Sequence, residues 1–121
     1  MAIHNELGKE GEKIAENFLK QKGYHILEKN WKYGKLEIDL IAMTSTHLVI
    51  IEVKSRRDKR FNQPEKAVDR HKINRLIIAT QAYIERNEID LPVQFDIVTV
   101  VGLHKLHTIE HFENAFYSPI M

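Results

Sequence analysis

Two strongly apolar runs in the first half of the chain carry acids where a buried strand has little room for charge. The first is Leu36-Glu37-Ile38-Asp39-Leu40-Ile41-Ala42 and the second is Leu48-Val49-Ile50-Ile51-Glu52-Val53-Lys54. Both read as buried strands, and a charge inside such a run is costly unless something pairs with it. Side chains alternate along a strand, so Glu52 and Lys54 share one face, opposite Ile51 and Val53. Glu37 and Asp39 likewise share a face, opposite Ile38 and Leu40. A tight turn at residues 43–47 would pair the two strands and let Asp39 meet Glu52. Two carboxylates and a lysine at a sheet edge form a site for a hard divalent cation, because Mg²⁺ takes oxygen ligands and keeps several waters. The lysine can then position or deprotonate a water, or neutralise a phosphate. The same residues also fit a plainer arrangement: an exposed strand face bearing Glu52 and Lys54, with Asp39 in a turn.

At 121 residues the chain is expected to form one domain, residues 1–121, large enough to bury a core. Its absence of cysteine excludes a disulfide framework, a thiolate zinc site and a cysteine nucleophile. No apolar run approaches transmembrane length, and residues 1–6 lack the charged-then-apolar pattern of a secretory signal. A cytoplasmic protein without membrane association is therefore expected.

The net charge of +1 hides an asymmetry. Residues 54–75 carry nine Lys/Arg against three acids, a local excess of +6, whereas residues 85–121 carry two against six, or −4. A basic segment abutting Lys54 points to a polyanion as substrate or ligand. A solvated loop and helix face is the other reading of the same run.

Apolar residues at helical spacing (Leu7, Gly11, Ile14, Ala15, Phe18 and Leu19) predict a first helix over about residues 4–22. Asn5 is its expected N-cap and Gly23 its terminator. Gly8, Gly11 and Ala15 keep part of this helix low enough for a strand or ligand to approach. Glu12 borders the stripe and, by spacing alone, reads as an exposed helix glutamate. Strands are expected at about 24–31, 36–43 and 47–54, with residues 32–35 as the first loop. A second helix follows over about 64–87, with Asn62 and Glu65 as a capping box. It would cross over to a parallel strand at 93–101. The tail is expected to add a short edge strand at 106–111 and then a loop. The order is α-β-β-β-α-β, a mixed sheet with helices packed on it.

In this order the chain resembles the PD-(D/E)xK nuclease superfamily, whose restriction-endonuclease-like αβββαβ core has Asp on the second strand and Glu-x-Lys on the third. More narrowly it is similar to the YraN family, bacterial endonuclease-like proteins related to archaeal Holliday junction resolvases. The residues carrying the likeness are 8–15 (GKEGEKIA), 23–27 (GYHIL), Asn30-Trp31, 37–42 (EIDLIA), 52–56 (EVKSR), Lys72 and Phe95-Asp96. The resemblance implies that Asp39 and Glu52 are metal ligands for Mg²⁺ or Mn²⁺, that Lys54 is the catalytic lysine, and that Glu12 reaches the site from the first helix. It gives Glu37, Arg56 and Lys72 supporting places near the site or the phosphates. Leu36 stands where the family usually has Gly, which bears on close approach of a nucleic-acid backbone and leaves the ligands intact.

The function expected is metal-dependent hydrolysis of nucleic-acid phosphodiesters, with DNA favoured, branched DNA within its range, and Arg56, Arg57, Lys59, Arg60, Arg70, Lys72 and Arg75 gripping phosphates. Analogy with junction-cutting relatives favours a homodimer. A catalytically silent binding module of the same fold is the alternative, and a scaffold pairing acidic tail with basic centre is another. His104, His107 and His111 have a spacing open to zinc, although a strand there places His107 and His111 on one face without a third ligand. His71 reads as solvated or phosphate-contacting. Trp31 and Phe61 are candidates for stacking on bases, with Trp31 better suited to the core.

Overall fold

In the computed structural model, described over residues 2–56, 70–102 and 107–116, the run at 48–54 lies in the middle strand of a five-stranded sheet. The elements are α1 (Ala2–Gln21), β1 (His25–Tyr33), β2 (Leu36–Met43), β3 (Leu48–Arg56), α2 (Arg70–Asn87), β4 (Val93–Val101) and β5 (Thr108–Phe116). Spatial order follows chain order. β1–β2, β2–β3 and β4–β5 pair antiparallel, and β3–β4 pair parallel. The αβββαβ core expected from the sequence is present, with β5 added at the far edge.

Local chemistry sets the junctions. Gly23, at φ 94°, ends α1: its N–H reaches Lys20 O and the Tyr24 N–H reaches Leu19 O, both at 3.0 Å. That pair of bonds is the Schellman arrangement, which glycine adopts without a Cβ clash. The β2–β3 turn is closed by the Thr44 N–H bond to His47 O at 2.9 Å, while Thr44 Oγ1 accepts the His47 N–H at 3.0 Å.

Alternation along the strands builds two cores. Leu40, Ala42, Val49, Ile51, Val98 and Val100 pack with Ala15 and Leu19 of α1. Ile41, Leu48, Ile50 and Phe95 pack with Leu76, Ile77, Ala79 and Tyr83 of α2. The helices thus cover opposite faces of the sheet. Gly11 is where α1 comes closest: a Cβ there would lie 1.8 Å from Ser55 Oγ. Gly11 therefore serves a strand's approach, whereas a Cβ at Gly8 would meet nothing within 4 Å, and the contact at Gly11 sets the neighbouring Glu12 over the end of β3.

Five expectations need correction. Ile38 and Leu40, expected on one face, pack in the α2 and α1 cores respectively, so regular alternation breaks at Asp39 between them. α1 begins at Ala2, so Asn5 lies inside it and is not its cap. β1 continues through Tyr33, leaving only Gly34 and Lys35 as a turn, with Gly34 at φ 61°. The tail strand runs nine residues, Thr108–Phe116, because the β4 ladder holds its polar residues in place. β3 also extends two residues past Lys54 to Arg56. The expected capping box at Asn62 and Glu65 lies outside the described residues.

Candidate functional site

The β2–β3 ladder runs from Met43 opposite Leu48 to Leu40 opposite Ile51. Past that point a side chain replaces a backbone partner: the Val53 N–H donates to Asp39 Oδ2 at 2.8 Å. Asp39 is thus held between the two strands, where it also shares a hydrogen bond with the Glu52 carboxyl. Two carboxyl groups can bond only through a proton. Burial first, then Glu52's bond and charge, push the Asp39 carboxyl far above the usual range. Glu52 stays charged: burial opposes its ionisation, but the bonds from Asp39 and Lys72 and the charges of Lys72 and Lys54 outweigh it. The pair titrates as a unit holding one proton.

Two further acids complete the constellation. Carboxylate oxygens of Glu12, Glu37 and Asp39 all lie within 4.8 Å of one another. Glu12 comes from α1, and its carboxyl is raised by burial and by the charges of Glu37 and Glu52, against a hydrogen bond from Asn30 that lowers it. The sequence reading placed Asp39 and Glu52 as the metal ligands; the converging trio is Glu12, Glu37 and Asp39, with Glu52 joined to it through Asp39. This donor set fits a hard cation. It is all carboxylate oxygen and closely spaced, and neighbouring carboxylate charge raises the Glu12 and Asp39 carboxyls, a repulsion that a divalent ion relieves. Asn30 was missed as a site residue. Its φ of 52° is a left-handed conformation that Asn tolerates better than most residues, and that is the only local signal it offers.

Lys54 and Lys72 flank Glu52. Lys54 Nζ is 3.8 Å from Glu52 Oε2, and Lys72, from the first described turn of α2, is ion-paired with the same oxygen. Burial and the adjoining Lys72 hold the Lys54 ammonium below its ordinary value, against the pull of Glu52. A lysine with weakened proton affinity beside a carboxylate cluster suits a group that exchanges or positions protons. A groove of about 270 Å³ opens beside the acids, lined by Lys9, Glu12, Lys13, Glu16, Lys29, Asn30 and Leu40.

The expected phosphate contacts divide. Arg70 and Arg75 are exposed on α2, Arg56 is half-buried and donates to Ser55 O at 3.0 Å, and Lys72 is engaged with Glu52. Arg57, Lys59, Arg60 and Phe61 lie outside the described residues, as does His104. His71 is exposed. His111 is committed elsewhere: its Nε2 is 2.6 Å from Asp96 Oδ2 and its Nδ1 is 2.7 Å from Lys22 Nζ. Lysine only donates, so Nδ1 accepts and Nε2–H is given to Asp96. Trp31 is half-buried against the α2 core.

An αβββαβ sheet carrying Asp on its second strand and Glu-x-Lys on its third defines a nuclease-like core. Residues 11–100 match the model of a family described as "Uncharacterised protein family UPF0102". The chain belongs to this family, in keeping with its likeness to YraN proteins. Its relatives include a UPF0102 protein of Phocaeicola vulgatus, 52% identical over 120 residues and covering 99% of each chain. A UPF0102 protein of Bacteroides thetaiotaomicron is 48% identical over 120 residues, again 99% of each. One from Flavobacterium psychrophilum is 48% identical over 117 residues, 97% of this chain and 98% of the relative. Among the described residues no helix is long and apolar enough to cross a membrane.

Proposed function

We propose that the protein is a metal-dependent phosphodiester hydrolase acting on nucleic acid, with DNA favoured. The observation that carries this reading is the convergence of Glu12, Glu37 and Asp39, with Glu52 bonded to Asp39 and Lys54 beside it. Glu12, Glu37, Asp39 and Glu52 would hold Mg²⁺ or Mn²⁺. A bound divalent ion supplies charge stabilisation at the scissile phosphate and a water of lowered pKa. Asp39 gives up its shared proton on entering that role, and the Val53 N–H keeps its carboxylate oriented. Lys54 stands where an ammonium can position the attacking water or donate to the phosphoryl oxygens as charge builds. Lys72 neutralises Glu52 and holds it in place. Arg70 and Arg75 meet flanking phosphates, contacts that position the chain without reading its bases and that weaken as salt rises.

The test is cleavage of labelled single-stranded, duplex, flap and four-way-junction DNA, and of RNA, with Mg²⁺ or Mn²⁺ and Asp39→Asn as control. Metal-dependent product that vanishes in the variant is the expected result. Binding by both proteins with product from neither would replace hydrolysis with a silent binding module.

A further inference from the structure

Trp31 and Tyr33 lie two residues apart on β1, an outermost strand of the sheet, with rings parallel to within 5° and centroids 6.3 Å apart. Trp31 is anchored by an edge-on contact with Tyr83 of α2 at 5.2 Å. The Arg86 guanidinium, in the last turn of α2, lies 5.0 Å from the Tyr33 centroid and 5.9 Å from that of Trp31. The ring pair is therefore braced from the core side, while Tyr33 keeps 37% of its surface exposed. Around it stand exposed Lys32, Lys35 and Arg86.

The position of this patch matters as much as its composition. Lys32 sits between the two aromatic residues, and its cross-strand partner is Glu37. Glu37 belongs with Glu12 of α1, whereas Trp31 packs against the α2 core. The carboxylates and the rings thus occupy the two sides of one hairpin end. Glu37 pairs across the strands with Lys32, between the two rings, so a chain with a phosphate at the acids reaches the rings by turning round this hairpin edge. An exposed, rigid aromatic face ringed by cations suits a flat apolar group attached to an anionic backbone. A base inside a duplex has both faces covered by its neighbours, so the group must be unpaired.

We propose that Tyr33, braced by Trp31 and Arg86, is a stacking platform for an unpaired nucleobase adjoining the carboxylate site. This rests on the nucleic-acid reading above and gives it a substrate class: single-stranded or branched in preference to continuous duplex.

Trp31 is the only tryptophan in the chain, so its fluorescence reports on this patch without metal or cleavage. The experiment titrates Asp39→Asn protein, in metal-free buffer, with an oligothymidylate, an abasic oligonucleotide of equal length and a blunt duplex of equal charge. The expected result is quenching by the oligothymidylate, with little response to the other two. Tyr33→Ala should weaken oligothymidylate binding about tenfold, the scale of one base–aromatic stack, while Tyr33→Phe retains it. Circular dichroism confirms that both variants are folded. Equal responses to abasic and normal strands, no quenching at all, or unchanged binding by Tyr33→Ala would overturn the platform. So would a Tyr33→Ala protein altered only in oligomeric state, which would mark the patch as a contact between copies. A Tyr33-dependent response, with no metal-dependent cleavage of any substrate by the wild-type protein, would sink the hydrolase alone. Cleavage of single-stranded and branched DNA that is indifferent to Tyr33 would sink the platform alone.

Discussion

Asp39 and Asp96 flank the same strand, β3, from β2 and β4; Asp39 is half-buried and Asp96 buried, and their surroundings are opposite. Asp96 is surrounded by donors. Gln94 Nε2 lies 2.9 Å away, the Asn114 N–H 3.1 Å, His111 Nε2 2.6 Å and the Tyr24 hydroxyl 3.4 Å. Tyr24 remains a donor because burial, then the charges of Asp96 and Glu113, drive its phenol well above its ordinary value. The His111 and Asp96 side chains are 3% and 0% exposed, so substrate has no access to them. Asp39 has one backbone donor and is otherwise pressed against Glu52, with Glu12 and Glu37 close by. A buried acid saturated with donors ties the sheet together, here joining the α1–β1 junction to β4 and β5. An acid cornered by other acids is destabilising unless something else arrives. That difference separates an aspartate that ties the sheet together from the one proposed to act in the site.

The sharpest way to break this contrast is to remove each acid's carboxylate in turn. Asp39→Asn should reduce metal-dependent cleavage to background while leaving urea-denaturation stability within about 1 kcal/mol, because Asn still accepts the Val53 N–H and relieves repulsion. Asp96→Ala, which strips His111 of its partner, should cost about 3 kcal/mol or more, with specific activity of the folded fraction unchanged. Reversal of that pattern would mean the roles are assigned backwards. Lys54→Ala should next lower turnover by about a hundredfold or more with little change in Mn²⁺ affinity by calorimetry. Normal cleavage by that variant would remove the lysine from the mechanism.

The third measurement is pH dependence. The raised Asp39 carboxyl contributes stability below its unfolded value of about 4, and that contribution is lost as pH climbs through its folded value. Metal-free wild-type protein should therefore lose this increment on raising the pH, and Asp39→Asn should not. Mn²⁺ binding should release a proton and tighten by up to about tenfold per pH unit below that folded value; calorimetry in buffers of different ionisation enthalpy would expose a pH-independent, proton-neutral association instead. Gly11→Ala should come fourth, costing about 1–3 kcal/mol in denaturant and also lowering activity, since the added methyl meets Ser55 and displaces Glu12. Wild-type behaviour would mean α1 has room to spare. The smallest effect belongs to a carboxylate that is neither cornered nor saturated. Glu16, itself buried, pairs with exposed Lys20 at 2.9 Å and exposed Lys29 at 3.6 Å, and because Lys20 remains as its partner Lys29→Ala should move stability by less than about 1 kcal/mol.

The sequence reading captured what alternation and turns encode. β2, β4 and most of β3 follow from their apolar runs, and the meeting of Asp39 with Glu52 follows from pairing those runs through residues 44–47. Glu12 was legible only through the family resemblance, since its own helix gives it the look of a solvent-facing residue. Glu37 was read with Asp39 on a face opposite both Ile38 and Leu40, but those two pack on different sides of the sheet; its convergence with Glu12 depends on how closely Gly11 lets α1 descend. Asn30 and Asp96 entered only as part of the family likeness, without a role, and the Asp96–His111 pair and the Tyr33–Arg86 contact left no pattern. They join segments distant in the chain, and no local spacing records such a contact. The histidine spacing in the tail suggested metal for the same reason: His111's partner is on another strand.

The outer strands carry one more consequence. β1 has a register shift between Ile26 and Glu28 and a left-handed Asn30, and the β4–β5 ladder has a shift between Phe95 and Ile97 and a left-handed Asn114. A straight outermost strand offers its backbone as a template on which a second chain can lay a strand and seed aggregation. Kinks at both margins, with Lys29, Lys32 and Lys35 along the first, deny such a recruit a continuous ladder. The residue that turns β1 toward Glu12 thereby also helps keep the sheet from growing beyond its fifth strand.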